Sequence, residues 1–427
     1  MLSAEENERL TRIGPGTPMG DLLRRYWQPV AASSELANRA TLRVKILGES
    51  LVLFKDRSGG LGLITESCPH RGVSLANGIP TADGIRCPYH GWRFDGTGRC
   101  IEQPNEYDPT AAKSKIVTPA YPVEELGGLI FAYLGPAPAP CLPRFDAFAV
   151  AGAIRTIGKA MIPCNWLQIM ENSVDPVHTQ WLHGAFYEYL HEKDGIRTAV
   201  SRRQAKSGFD EFAYGIIKRR LYEGQSEDAE DWKTGHPLVF PNSLAVGSAG
   251  GFFTQYTFQI RVPIDDTHTQ HYWYHAYLPP HGVAVPAHLR ETVSLYEPPV
   301  TDADGNYLTE YVHAQDIMAW VTQGPIADRT KENLTGSDRG LAVYRRMLKR
   351  ELERVARGED PLGTIRDPAE NVLIDLPRER DKQNYSEGFA TYLKRHMLAF
   401  SPIADDLVAL FEGNVGKVPA KESVAAQ

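Results

Sequence analysis

No apolar run in this 427-residue chain approaches the roughly 20 residues that a membrane-spanning helix requires. The opening stretch, M-L-S-A-E-E-N-E-R-L, is acidic and polar and lacks the apolar core of a signal peptide. Both absences lead to the expectation of a cytoplasmic protein with no membrane association. A basic excess is missing too. The formal net charge of −7 argues against nucleic acid or an anionic membrane as partner. Cysteine is sparse: Cys68, Cys87, Cys100, Cys141 and Cys164 form an odd set in a large chain. That speaks against a disulfide framework and leaves buried thiols or metal ligands. No Gly-rich dinucleotide fingerprint opens a helix, and neither an internal repeat nor a low-complexity tract is visible.

What is present organises into three stretches. Residues 1–28 read as two helical pieces broken by Gly14-Pro15-Gly16, expected to pack on the catalytic domain. Residues 29–140 change pattern. Short runs such as R-V-K-I-L, S-L-V-L-F, G-L-I-T-E and G-L-I-F-A-Y-L alternate with Gly, Pro and Asp turns, which predicts a small all-β module. It closes in G-P-A-P-A-P, residues 135–140, a stiff polyproline-like connector. Residues 141–427 mix types. Met161 to His191 reads as mostly helical. Gly208–Tyr222, Leu238–Val246, Phe252–Val262 and His271–Leu278 read as strands, and Tyr311–Val321 and Leu341–Ala356 as helices. The fold class predicted is α+β: an all-β module followed by an antiparallel sheet flanked by helices. The tail after Val415 is small and polar.

Two constellations carry chemistry. C-P-H-R-G at residues 68–72 is followed by C-P-Y-H-G-W at 87–92. Two thiolates and two imidazoles can close a tetrahedral zinc site. They can also hold a [2Fe–2S] cluster, with thiolates on one iron and imidazoles on the other. The spacing leaves both open. Two matched Pro- and Gly-bounded loops rich in backbone N–H groups favour the cluster, whose sulfides accept hydrogen bonds. Residue for residue, the boxes resemble the ligand boxes of Rieske [2Fe–2S] domains. The resemblance implies Cys68 and Cys87 on one iron and His70 and His90 on the other. Cys100, Cys141 and Cys164 read as buried free thiols.

The second constellation is E-N-S-V-D-P-V-H-T-Q-W-L-H, Glu171 to His183. Two imidazoles completed by a carboxylate make the facial triad that holds ferrous iron with open positions. Two structural histidines are the plain alternative. Placed after a Rieske module, E-N-x-x-D-x-x-H-x4-H resembles the catalytic α subunits of Rieske non-haem iron oxygenases, over nearly the whole chain. The resemblance implies His178 and His183 as iron ligands, with Asp316 the best match for the third. Asp328 is its rival, but it directly precedes Arg329 and reads as a capping residue. Asp175 lies one helical turn before His178. In the family the matching residue links the iron site to a cluster histidine of the neighbouring subunit, here His90. Followed by Pro176, it is also a good helix start. Glu171 and Asn172 are expected to line or support the iron pocket. Five residues separate His178 from His183, which on an ideal α-helix turns them about 140° apart. Binding one metal therefore predicts a π-like bulge or irregular turn between them.

The implied enzyme is an oxygenase component with a Rieske cluster, a mononuclear Fe(II) and O2 as co-substrate. A separate NAD(P)H-dependent reductase with flavin and iron–sulfur centres would supply electrons, in agreement with the missing dinucleotide fingerprint. The stretches G-P-G-T-P-M-G-D-L-L-R-R-Y-W and Q-D-x3-W-x2-Q-G-P-I-x-D-R-T-x-E resemble the phthalate dioxygenase and dehydrodivanillate O-demethylase-like branch. That branch implies a homotrimer or stacked-trimer hexamer acting on small aromatic acids. The expected reaction is ring cis-dihydroxylation of a phthalate- or halobenzoate-like acid, with O-demethylation of a methoxylated, lignin-derived acid as the alternative. A pure electron carrier and a zinc-stabilised binding protein are the rival classes. A carboxylate substrate calls for arginine: Arg202, Arg203, Arg219 and Arg220 are candidates. Strand alternation groups Arg219 with Ile217 and Leu221, so Arg219 is expected to point inward. His275, alternating with His271 and Trp273, is expected to line the substrate pocket.

Overall fold

A computed structural model describes residues 1–107, 115–195, 202–248, 252–379, 393 and 398–414. The tail after Val415 lies outside them.

The chain opens with helix Ala4–Thr11, started by a reciprocal capping box between Ser3 and Glu6. A second helix, Pro18–Leu23, has Thr17 as N-cap and proline at its first position. Both lie against late parts of the chain. Asn7 donates to the Ala327 carbonyl and Arg12 to Asp266, and Lys349 pairs with Glu6.

The β module follows. Strands Thr41–Ile46, Glu49–Lys55, Leu61–Thr65 and Ala120–Tyr121 form one antiparallel sheet. Ile79–Thr81, Gly84–Arg86, Arg93–Phe94 and Cys100–Glu102 form a second. Gln28–Ala32, Leu129–Ala132 and Val123–Leu126 form a third. Between the first two sheets sits a core of Val52, Phe54, Ile64, Leu75, Ile85 and Phe94 that also buries Cys68 and Cys87.

The catalytic part is built on eight strands. In spatial order these are Gln204–Phe212, Gly215–Tyr222, His236–Val239, Ser243–Ser248, Thr254–Asp265, His268–Leu278, Ile154–Ile162 and Ser294–Tyr296. All pairs are antiparallel except the last, which is parallel. Several features differ from the expected pattern. Leu238–Val246 is not one strand but parts of two antiparallel ones, His236–Val239 and Ser243–Ser248, turned at Phe240 to Asn242, and Ser294–Tyr296 is a short additional strand. Gly208–Tyr222 is not one strand but most of a hairpin, turned at Ala213-Tyr214 before Gly215. Ile154–Ile162 is an additional strand, deep in the sheet; much of it is covered on both faces, so it shows no clean alternation. One face of the sheet packs Phe258 against Phe145 and Phe148. The opposite face carries Trp273, which packs with Ile169 of helix Trp166–Val174 and with Ile317 and Trp320 of helix Val312–Val321. The fold is the α+β arrangement expected: a β module, then a large antiparallel sheet flanked by helices. Among the described residues no helix is long and apolar enough to cross a membrane.

Candidate active site and cluster-binding loops

Helix Trp166–Val174 is capped by Asn165 and buried along almost its whole length. It stops at Asp175, because Pro176 disfavours a helical conformation for the residue before it. Asp175 Oδ1 then accepts from the Val177 and His178 backbone amides at 2.7 and 3.4 Å, starting the next helical segment. That segment is α-helical over His178–Gln180, a π-helix over Trp181–Ala185, and α-helical again over Phe186–Leu190. The irregular turn expected from the five-residue spacing is present. It brings the two rings to 5.3 Å between centroids. Asp316 approaches from Val312–Val321, with Oδ1 3.2 Å from His183 Nε2 and 3.9 Å from His178 Nε2. Asp316 sits fifth in that helix.

The three groups offer ligand atoms that all lie within 4.8 Å of one another. Metal–ligand bonds of about 2.1 Å at right angles put neighbouring donors about 3 Å apart, so modest inward movement closes a site here. Among the described residues Asp316 Oδ1 is buried and lacks a hydrogen bond, a cost of about 1–3 kcal/mol that a cation removes. Burial and the neighbouring His183 hold His178 down to about 3, as the neutral imidazole a metal requires. Burial opposes ionisation of Asp316, but the two imidazoles outweigh it and keep the carboxylate below its ordinary range. Asp316 in turn raises His183 despite burial. Two imidazoles and one carboxylate with converging ligand atoms fit ferrous iron. The rival, Asp328, is a surface group whose Oδ1 accepts from the Thr330 amide and hydroxyl.

Glu171 is buried. Both its oxygens are taken by Arg329 and Arg345, at 2.6–3.0 Å, so it ties the site helix to later parts of the chain. Asn172 is half-buried, and its carbonyl accepts from the Asp175 amide. Arg219 is not inward. It donates to Asp210 and to the Trp232 and Lys233 carbonyls. The alternation is real but reversed: Lys218 and Arg220 are the buried pair. Arg203 is an exposed ion pair with Glu223, and Arg202 is exposed. His275 is fully buried, its Nδ1 3.2 Å from the Thr257 hydroxyl and its Nε2 without a partner.

Sequence reading missed three groups. Lys218 Nζ donates to the Ser173 carbonyl at 2.8 Å, a cation at the C-terminal end of the site helix. It also opposes the upward shift that burial gives Asp175. Arg261, on the central strand, is buried and donates to Gln259. Asp231, His236 and Glu379 form a second cluster of ligand-like atoms. Arg220 fills it, with Nη2 2.6 Å from His236 Nε2 and 3.1 Å from Asp231. The alternation in G-I-I-K-R-R-L-Y was the signal available for Lys218 and Arg220.

The cysteine loops are near copies of each other. The Cys68 amide donates to the Val73 carbonyl and the Cys87 amide to that of Trp92, at 2.9 and 2.8 Å. The Gly72 and Gly91 amides return to the carbonyls of Cys68 and Cys87. Both glycines have φ near +75°, which a side chain disfavours. Both cysteines are buried, and the backbone amides of His70 and Arg71 point at the Cys68 thiol. Burial nevertheless pushes that thiol up to about 11. His70 and His90 lie 4.6 Å apart between centroids, and His70 stacks on Trp92. Thiols face the core and imidazoles the surface, an arrangement that fits a cluster with two chemically distinct irons. Cys100 and Cys164 are buried, and Cys141 is half-buried.

The profile of the Rieske [2Fe–2S] domain matches residues 26–122, and one described as LigXa C-terminal domain like matches residues 303–374. The chain is 41% identical to the 5,5'-dehydrodivanillate O-demethylase oxygenase subunit of Sphingobium sp., over 98% of this chain and 100% of that one. It is 32% identical to the phthalate 4,5-dioxygenase oxygenase subunit of Pseudomonas putida, over 85% and 89%. Among solved structures, the Pseudomonas putida CBB5 NdmA QL mutant with caffeine aligns with a TM-score of 0.60 at 21% identity, over 80% of this chain and 94% of that one. The terminal oxygenase of carbazole 1,9a-dioxygenase from Novosphingobium sp. KA1 aligns at 0.57 and 22%, over 80% and 97%. At such identities the structural likeness speaks for the fold alone. The match to an oxygenase subunit over nearly the whole length carries further: the chain belongs to the Rieske non-haem iron oxygenases, O2-using oxidoreductases that hold a [2Fe–2S] cluster and a mononuclear iron.

Proposed function

We propose that this protein is the terminal oxygenase of a system that O-demethylates a methoxylated aromatic acid. The observation that carries the reading is the near full-length likeness to a dehydrodivanillate O-demethylase subunit, at 41% identity against 32% for the phthalate dioxygenase. The sheet face supports it. Arg219 and Arg203 are engaged at the surface, and Arg220 is neutralised by Asp231 and Glu379. Among the described residues, Gln255 Nε2 and His275 Nε2 are buried there without partners. Such neutral polar groups suit methoxyl or phenol oxygens better than a carboxylate.

In this reading His178, His183 and Asp316 hold the iron, and Cys68, Cys87, His70 and His90 hold the cluster. The iron supplies O2 activation, with electrons relayed by the cluster from a separate NAD(P)H-dependent flavin and iron–sulfur reductase. His275 and Gln255 hold the ring, while Trp273 and Trp320 keep water from the apolar side. The net reaction is Ar–OCH3 + O2 + 2 e⁻ + 2 H⁺ → Ar–OH + HCHO + H2O. One formaldehyde per phenol is the expected yield with a panel of vanillate-like acids and a surrogate reductase. Ring cis-dihydroxylation, the second reading that the phthalate dioxygenase likeness favours, gives a cis-diol and no formaldehyde.

The assembly is part of the proposal. His70 is exposed, and Tyr89, packed on His90, is 53% exposed. On the iron side Trp181 is 63% and Tyr189 70% exposed. We infer a homotrimer, or stacked trimers, in which His90 of one subunit meets Asp175 and His178 of the next. Mixed assemblies of Cys87→Ser and His183→Ala chains should then regain turnover that neither chain has alone. No recovery in a verified mixed trimer rejects the inter-subunit route.

A further inference from the structure

We propose that Gln315 fixes the tautomer of His183 and, being neutral, keeps the iron site from favouring the ferric state; this rests on His183 being an iron ligand. Hydrogens need not be seen to assign the proton. The Thr309 backbone carbonyl can only accept, and it lies 2.7 Å from one end of the Gln315 amide. That end is therefore the NH2, Nε2. The other end, Oε1, can only accept, and it lies 2.9 Å from His183 Nδ1. Nδ1 must donate. A neutral imidazole carries one ring proton, so Nε2 of His183 is left with its lone pair. That is the atom 3.2 Å from Asp316 Oδ1, on the side where the ligand atoms converge.

The chain places this device compactly. Gln315 is fully buried and adjacent to Asp316, so one turn of helix Val312–Val321 delivers both the carboxylate ligand and the group that orients its neighbour. The two imidazoles then differ. Among the described residues His178 Nδ1 has no hydrogen bond, and it faces a carboxylate, Asp175 Oδ2, at 3.7 Å. His183 faces an amide. A carboxylate at position 315 would make the imidazole a stronger donor to the metal and add a negative charge near it. The attraction scales with the charge of the ion, so it would favour Fe(III) over Fe(II). Glutamine orients the ring without that bias.

The test uses the full-length protein with its cluster intact, stripped of mononuclear iron and titrated with Fe(II) or Co(II). Gln315→Leu removes the acceptor, and metal affinity should fall about 10–100-fold, with an altered Co(II) visible spectrum. Gln315→Glu keeps an acceptor for Nδ1–H and cannot donate to Thr309 when ionised. It should bind metal as tightly as wild type or tighter, and the midpoint potential of the mononuclear iron should move down. The Rieske cluster potential should not move in either variant. Affinity of Gln315→Leu within threefold of wild type overturns the orienting role. Weaker binding by Gln315→Glu overturns it as well, which keeps the test decisive if the leucine variant does not fold. An unchanged iron potential in Gln315→Glu at pH 8 overturns the role of neutrality. If instead His183→Ala binds metal normally, the ligand assignment itself fails.

Discussion

Replacing Glu171 by alanine should destabilise the catalytic domain by about 3–5 kcal/mol, the cost of removing one member of a buried ion pair. The size follows from what each partner keeps. Glu171 accepts from Arg329 Nε at 2.9–3.0 Å and Nη2 at 2.7 Å, and from Arg345 Nε at 2.6 Å. Without it Arg345 still holds Glu332 with two bonds, at 2.8 and 2.6 Å. Arg329 keeps only the Asn7 side chain and the Ala327 carbonyl, with Glu332 no nearer than 4.0 Å. Its side chain is 1% exposed, so water cannot take the place of the carboxylate. One orphaned guanidinium, not two, sets the magnitude. The Glu171→Gln variant offers little rescue, since the NH2 end of the new amide would face guanidinium N–H groups. At about 2 °C per kcal/mol for a domain of this size, the transition followed by tryptophan fluorescence should drop by roughly 8 °C, while the cluster's visible spectrum is retained at room temperature. In a double-mutant cycle, Glu171→Ala with Arg329→Ala should be little worse than Glu171→Ala alone. A fall under about 2 °C, or simple additivity of the two, refutes the reasoning.

Three further outcomes follow from the site. His183→Ala should lose the mononuclear iron and substrate oxidation together, leaving the Rieske spectrum unchanged; retained oxidation would reject the ligand assignment. Asp316→Ala should lose iron as His183→Ala does, whereas Asp328→Ala should keep full iron content by metal analysis, because its carboxylate serves a surface turn. Arg219→Ala should leave KM within about twofold and cost about 1 kcal/mol of stability, through lost contacts to Asp210 and the 232–233 carbonyls; a tenfold rise in KM would restore it as a substrate anchor.

Local chemistry was legible. The cysteine loops are set by residues within five positions of each other, with Gly72 and Gly91 supplying the left-handed turns, so sequence alone places both boxes. The π-turn was legible from arithmetic, because five residues cannot put two rings on one metal in a regular α-helix. Long-range pairing was not. Asp316 lies 133 positions after His183, and it was selected by the resemblance, with Asp328 set aside for its capping look. Arg219 misled because alternation tells which residues share a face, not which face is inside. The inner face carries Lys218 and Arg220, held by distant partners that include Ser173 and Asp231, which no local pattern reveals. Gly208–Tyr222 merged into one strand because its turn, Ala213-Tyr214, lacks the usual breaker residues before Gly215.

The buried charges also bear on how a substrate would lie. Arg220, Arg329 and Arg345 are matched by carboxylates, and Lys218 holds a helix end beside Asp175. Arg261 differs from these: it is buried, and among the described residues its hydrogen bonds go to Gln259 alone. Apart from Arg261, the cations that an anion would meet deep in this site are already engaged: Lys218 by the Ser173 carbonyl and, on this assignment, the iron by Asp316. On the O-demethylase reading, the methoxyl carbon therefore points inward and the acid group stays at the solvent-exposed rim. A rim contact contributes up to about 1 kcal/mol, or roughly fivefold, so the methyl ester of a turned-over acid should keep kcat/KM within about tenfold. A carboxylate paired with a buried arginine would instead make the ester worse by about 3 kcal/mol or more, above roughly 100-fold. That result would refute the orientation and single out Arg261 as the anchor, a point Arg261→Met would then decide by losing the acid's advantage over its ester.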